Sequence, residues 1–271
     1  MSLSKAVPME VQSFSFRSAG RTDVGLVRRQ NEDSLLMNDT GHFWAVADGM
    51  GGHASGQVAS ALAIEHIEDF LTRWCHEPME KWPFDLDTNL TTGEAAIWSA
   101  IQVANLRIYN RSQVDETCEG MGTTVVLIHF DADSGLCIGH AGDSRCYRIR
   151  GGMIEKLTED HSLAGQLTRS KLLTEYEARQ HAGANVVLRA LGIEDRIPVE
   201  TNYFNVQLHD TYLLCSDGLT DQLRDFEIED IVNEFGSDLD SAVEALVDQA
   251  NINGGHDNIT AVVVRVEAPI L

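Results

Sequence analysis

The apolar run Phe43-Trp44-Ala45-Val46-Ala47 stops abruptly at Asp48, followed by Gly49-Met50-Gly51-Gly52-His53. Such a run, bounded by glycines, reads as a buried strand that carries one carboxylate to a fixed place at its own end. The glycines after it let other groups approach the backbone closely. The same design recurs along the chain. Asn31-Glu32-Asp33 precedes Ser34-Leu35-Leu36, Asp143 follows the segment 137–142, Asp217 follows 212–216, and Asp257-Asn258 opens the apolar segment 259–266.

Carboxylates that converge at the ends of core strands need a neutralising partner, because each unpaired buried ion costs about several kcal/mol. Few basic residues stand nearby in sequence, so the expected partner is a metal. An all-oxygen ligand set selects hard cations, Mg²⁺ or Mn²⁺ over zinc or copper. Two such ions roughly 3.5–4 Å apart acidify a bridging water, a usual device for hydrolysing a phosphate ester.

Charge narrows the partners. With Lys+Arg 20 against Asp+Glu 42, the formal charge of -22 repels nucleic-acid phosphates and anionic membrane surfaces and attracts metal ions or basic partners. No nucleic-acid partner is expected. Cys75, Cys118, Cys137, Cys146 and Cys215 are widely spaced, lack a C-x-x-C pair and read as reduced core residues. The chain has no basic segment followed by an apolar stretch at its start, and no apolar run near the ~20 residues that span a bilayer. The expectation is a cytoplasmic protein free of the membrane.

In chain order, residues 1–12 carry little pattern and form a loose lead-in. A first strand is expected near 13–17 and a second after Asp33. A helix starts at Ser55, with Val58, Leu62, Ile67, Leu71 and Trp74 on the packed face and Glu65, Glu68 and Asp69 opposite. Thr91-x-x-Glu94 is a capping box for a second helix with Ile97, Ile101, Ala104 and Ile108 as its stripe. Strand text over 122–130, 136–141, 145–150 and 154–157 is joined by short turns, including Gly151-Gly152, which implies antiparallel pairing. Residues 158–192 turn polar and helical, with a further capping box at Thr174-x-x-Glu177, and read as a flap beside the site. Strands near 199–205, 211–215 and 258–266 and helices over 227–235 and 239–250 complete an α+β layout, a sheet sandwich coated by helices.

Val27-Arg28-x-x-Asn31-Glu32-Asp33-Ser34, Ala47-Asp48-Gly49-Met50-Gly51-Gly52-His53, Gly120-Met121-Gly122-Thr123-Thr124, Gly142-Asp143-Ser144-Arg145, Ser216-Asp217-Gly218-Leu219-x-Asp221 and Asp257-Asn258 occur in order. In these motifs, from about Phe14 to Val266, the chain resembles the bacterial PP2C-like (PPM) metal-dependent serine/threonine phosphatases. The resemblance implies one domain over 13–267, a central antiparallel β-sandwich flanked on both sides by helix pairs. It implies that Asp48 bridges two Mn²⁺ or Mg²⁺ ions, that Gly49 offers its carbonyl, and that Glu32, Asp217 and Asp257 complete the two shells. Asp33 then supports metal-bound water, Asp143, Asp217 and Asp221 hold a third, weaker ion, and Arg28 binds the substrate phosphate. The implied reaction is in-line attack on phosphoserine or phosphothreonine by a metal-bridging hydroxide. Met50 stands where eukaryotic relatives carry a histidine, and His53 is the substitute candidate for proton donor. The implied partners are phosphoproteins and a cognate serine/threonine kinase that this protein opposes; a monomer is expected.

Rival motifs fail on their own chemistry. Gly49-x-Gly51-x-x-Ala54 resembles a dinucleotide fingerprint, but Asp48 would repel pyrophosphate. Gly51 to Gly56 is followed by Gln57, not the Lys-Ser/Thr of a Walker loop. Cys215 as a nucleophile is opposed by Asp217, which disfavours a thiolate, and by Asp221 where a phosphate loop needs arginine. A two-metal nuclease would want a basic stripe. A metal-free, phosphoprotein-binding relative should have lost some ligands, whereas every expected acid is present.

Overall fold

The computed structural model describes residues 14–51, 55–77, 81–87, 89–130, 135–174, 177–178, 183 and 186–269. Its first strand, β1 (Ser15–Asp23), is followed by β2 (Asp33–Asn38) and β3 (Phe43–Met50). Two long helices intervene, α1 (Ser55–His76) and α2 (Thr92–Val114), before β4 (Gly122–Thr123), β5 (Val125–Phe130), β6 (Gly135–Ala141), β7 (Arg145–Arg150) and β8 (Met153–Lys156). The short α3 (Leu163–Arg169), β9 (Glu200–Asn205), β10 (Thr211–Cys215), α4 (Asp217–Thr220), α5 (Asp225–Phe235), α6 (Leu239–Ile252) and β11 (Ile259–Glu267) complete the order.

The strands form two sheets, β1-β11-β10-β7-β8 and β2-β3-β5-β6-β9, with β4 added to β3. Alternation explains why their text is apolar on both faces. In β3, Phe43, Ala45 and Ala47 pack towards α1 and α2, while Trp44 and Val46 enter the layer between the sheets. In β10, Leu213 and Cys215 face α5 and α6, while Tyr212 and Leu214 meet the opposite sheet. The result is four layers, α-β-β-α, with three apolar interfaces.

Local chemistry fixes the helices. The Thr91–Glu94 capping box closes in both directions, with Glu94 N–H donating to Thr91 Oγ1 at 3.2 Å and Thr91 N–H to Glu94 Oε2 at 2.9 Å. Gly151 and Gly152 both take positive φ, 59° and 84°, as a two-residue hairpin turn requires.

Two expectations are corrected. Of the expected face of α1, Ile67 and Leu71 are buried and Leu62 and Trp74 pack against the core, but Val58 is 36% exposed and its place is taken by Ala59 and Ala63, whose small side chains let the helix lie close on β3. The strand run over 122–157 belongs to both sheets, for the chain crosses from one to the other at Gly142-Asp143-Ser144, between β6 and β7. It crosses again between β1 and β2, over residues 24–32, and between β9 and β10. Two of these crossings carry expected site residues.

Candidate active site

The β2–β3 ladder places Asp33 directly opposite Asp48. Asp33 is then tied to the other sheet, its Oδ2 accepting from Ser216 Oγ at 2.8 Å and Thr260 Oγ1 at 2.6 Å. Its Oδ1 is buried without a partner. Burial pushes the Asp33 carboxyl up to about 6 although both hydroxyls favour its charged form.

Asp48 is held by its backbone, which leaves its carboxylate to the cluster. Its N–H donates to Thr124 Oγ1 at 3.1 Å, and its carbonyl accepts from Thr123 Oγ1 and Thr124 N–H, both at 2.8 Å. Burial, then the charges of Asp33, Asp217, Asp143 and Asp257, raise its carboxyl well above the ordinary range. Asp217, the first residue of α4, is raised in the same way by burial and by Asp143, Asp221 and Asp257, and its Oδ1 is also buried without a partner. Burial lifts Asp143 to about 6, with Asp160 adding to it. Glu32 is raised by burial, with Arg28 opposing and Asp257 reinforcing.

The acids therefore converge. Asp143, Asp217 and Asp221 line one cavity of about 390 Å³, with Asp221 at its exposed rim. Asp160 lines it too, but Arg145 grips that carboxylate through two nitrogens, Nε at 3.0 Å and Nη2 at 2.6 Å, and overrides the upward pull of burial. Arg145 also pulls Asp143 down by its charge, but neither Asp143 nor Asp217 is in an ion pair among the described residues. Arg28 is exposed on the β1–β2 crossing, its Nη2 2.6 Å from Asp257 Oδ2.

Close backbone approach accounts for the glycines. A Cβ on Gly49 would stand 2.1 Å from Gly56 O, and one on Gly218 2.0 Å from Asn258 O.

Asn258 is the residue whose part the sequence reading missed. Its Oδ1 accepts Glu32 N–H at 2.8 Å, and its Nδ2 donates to Val24 O and Gln30 O, each at 2.9 Å. Its own N–H donates to Asp257 Oδ1 at 2.8 Å. One residue thus pins the crossing that carries Arg28, its side-chain amide setting Glu32 and its backbone N–H setting Asp257. Its signal was an asparagine directly beside an assigned acid at the head of a strand. Ser216, Thr260 and Thr124 were likewise unassigned.

His53 lies outside the described residues, and Met50 ends β3 paired with Gly122. His161 is buried and brackets Gly142: its N–H donates to Gly142 O at 2.9 Å and its Nδ1 accepts Gly142 N–H at 3.3 Å. It stacks on His140 with centroids 4.6 Å apart and planes 9° from parallel. Donor atoms of His140, His161 and Glu200 lie within 4.8 Å of one another, but near-parallel rings aim their nitrogens within separate planes, which suits contact over chelation of one ion. Cys215 is fully buried and its thiol is pushed up to about 12 by burial, so it is inert as a nucleophile.

Fold and site together define a four-layer α-β-β-α protein with a carboxylate centre drawn from both of its sheets. The family described as Protein phosphatase 2C matches residues 27–255. The serine/threonine phosphatase stp of Listeria welshimeri is 37% identical over 250 residues, which is 90% of this chain and 94% of that one. The crystal structure of the Mycobacterium tuberculosis serine/threonine phosphatase PstP/Ppp superposes with a TM-score of 0.81 at 32% identity, covering 93% of this chain and 99% of the other. A structure of the PstP catalytic domain in complex with two manganese ions has a TM-score of 0.79 at 32% identity, covering 94% and 100%. The chain belongs to the protein phosphatase 2C family. Among the described residues no helix is long and apolar enough to cross a membrane.

Proposed function

We propose that this protein is a metal-dependent serine/threonine phosphoprotein phosphatase, formed by one domain over 13–267. The observation that carries the reading is a cluster of buried acids in which Asp33 Oδ1 and Asp217 Oδ1 have no donor in place, and in which burial and neighbouring charges raise Asp33, Asp48 and Asp217 although the Asp48 side chain lowers the other two. Buried carboxylates without counter-charge are unfavourable at neutral pH, and hard divalent cations relieve that strain. The donor set fits such ions.

Glu32, Asp48, Asp217, Asp257 and the Gly49 carbonyl would hold two Mn²⁺ or Mg²⁺ ions, and Asp143, Asp217 and Asp221 a third. When bound, the pair supplies Lewis acidity and an acidified water for direct in-line attack on phosphorus. The chain's residues do the rest. Arg28 presents a guanidinium fork to two phosphoryl oxygens and gives up its contact with Asp257 to do so. Asp33, with Oδ2 saturated by Ser216 and Thr260, keeps Oδ1 to accept a proton from water at the centre. His53 is the candidate donor to the leaving oxygen. Segment 158–192 is a flap that shapes substrate choice, and the counterpart enzyme is a serine/threonine kinase.

The test uses metal-stripped protein with Mn²⁺, Mg²⁺, Ca²⁺ or no metal, against p-nitrophenyl phosphate and a phosphothreonine peptide, beside Asp48→Asn. Mn²⁺ titrated by calorimetry gives a second readout. Hydrolysis and tight Mn²⁺ binding in the parent, both lost in Asp48→Asn, are expected. Inactivity under every metal with the fold intact would refute the reading.

A further inference from the structure

The hollows along α3 differ in charge, and Arg169 lines two of them, one of which also holds Glu159, Asp160 and Asp225 with Arg145 and Lys156. Ser162 and Ala164 line the acidic cavity that holds Asp143, Asp217 and Asp221. Gln166 and Arg169 line a second hollow of about 350 Å³, whose remaining described walls are His161, Leu188 and Arg189. None of these described wall residues is a carboxylate, in a chain with 42 acidic against 20 basic residues.

The two arginines are available to a ligand. Arg169 is exposed, and neither it nor Arg189 is in an ion pair among the described residues. Arg189 is half-buried, its Nη1 3.0 Å from His161 Nε2, the nitrogen that also faces Glu200 Oε2 at 3.2 Å. Burial holds His161 down at about 4, so this ring adds no charge near pH 7. Two guanidinium forks beside a glutamine amide form a donor set for phosphate or carboxylate oxygens, and Leu188 gives the hollow an apolar wall.

Distance sets the register. A helix with its side chains is about 10–12 Å across and an extended chain advances about 3.3 Å per residue, so a peptide passing over α3 crosses it in about three to four residues.

We propose that the Arg169–Arg189 hollow is a second anion subsite, accepting a phosphate or carboxylate group that the substrate protein carries about three to four residues from the residue being dephosphorylated. The inference rests on the phosphatase reading above, and it names the kind of phosphoprotein that this flap favours.

The test uses the Mn²⁺-loaded full chain and phosphothreonine peptides that differ at one position, three or four residues to either side. That position carries phosphoserine, glutamate or glutamine, and loss of the threonine phosphate is followed by mass spectrometry. Arg169→Glu is the companion variant, and p-nitrophenyl phosphate the control that cannot reach the hollow. For the parent, KM is expected to be about 3- to 10-fold lower with phosphoserine than with glutamine, and intermediate with glutamate, at unchanged kcat. Arg169→Glu should abolish or invert that order and leave p-nitrophenyl phosphate hydrolysis as it was. Equal KM for the three peptides, or an order that survives Arg169→Glu, overturns the subsite while the phosphatase reading stands. Failure of the parent to hydrolyse p-nitrophenyl phosphate with any metal overturns that reading and the subsite with it.

Discussion

Asp33 and Asp48 are direct partners across the β2–β3 ladder, and after burial the charge of Asp33 is the largest cause of the raised Asp48 carboxyl. Strands thus hold two acids together that would separate in solution. The arrangement is unfavourable until something positive joins it, which makes the metal-free protein a sensitive reporter. Asp48→Asn removes one charge from the cluster and keeps the shape. Without metal at pH 7.5 the variant is expected to be more stable than the parent by about 1–3 kcal/mol. Mn²⁺ should raise the parent's Tm and leave the variant's nearly unmoved. Calorimetric scans with EDTA and with Mn²⁺ check both halves, and a variant that melts lower without metal would mean that Asp48 is held by bonds, not strained by charge.

Ser216 and Thr260 bring the second sheet to Asp33, and the expected effects of removing them differ from simple loss of packing. Thr260→Val keeps the volume and deletes the 2.6 Å hydroxyl donor. Stability should fall by about 1–2 kcal/mol, as for a buried charged acceptor losing one partner. A donor lost from the charged form also raises the Asp33 carboxyl beyond about 6. If Asp33 acts ionised, the acid limb of kcat/KM moves to higher pH in Thr260→Val. A stability loss with an unmoved pH profile would confine Asp33 to a structural part.

Much of this was legible in the sequence because core strands state their burial on both faces. The run 43–47 reads as a two-sided strand, and it is one, split between the α1/α2 layer and the inter-sheet layer. The acids were legible for the same reason, since a charge at the edge of an apolar run has few places to be. On α1 only Val58 was misplaced, because large residues were counted and alanines were not, although close packing on a strand favours Ala59 and Ala63. The change of sheet at Asp143 was invisible, because a three-residue link is as short as a hairpin turn. Asn258 was missed since its importance lies in four bonds to groups that include Val24 and Glu32, more than 220 residues away.

Gly218 follows the orphaned Asp217, and its missing side chain is a constraint on position. A Cβ there would meet the Asn258 carbonyl at 2.0 Å and approach Asp257 Cβ at 3.4 Å. Backbone cannot yield as a side-chain tip does, so Gly218→Ala must push α4 away from β11. The expected loss is about 2–4 kcal/mol of stability. Mn²⁺ affinity should fall at least tenfold even in molecules that remain folded at 15 °C, because Asp217 and Asp257 part together. Calorimetric titration on the folded fraction separates the two effects, and unchanged affinity would show that Mn²⁺ binding does not depend on this contact.

His161 gives a pH dependence with a definite sign. Its ring is held down at about 4 by burial first and then by His140, against an ordinary value of 6.5, and the titratable groups facing it are His140, Glu200 and Arg189. Between pH 6.5 and 4 the unfolded chain therefore takes up a proton at this residue that the folded chain refuses. The stability that a neutral His161 contributes is present above pH 6.5 and is lost as pH falls to about 4, by about 3 kcal/mol over the whole window. His161→Gln cannot titrate, and its amide can still bond Gly142 or Glu200. Raised carboxyls such as Asp33 act in the opposite direction across the same window and are present in both proteins, so the difference between parent and variant isolates the imidazole. Urea titrations at pH 7.5, 6 and 4.5 should show the parent losing stability relative to His161→Gln at each step down. A constant difference across the three would mean that the ring charges inside the fold, which its bracket on Gly142 is built to prevent.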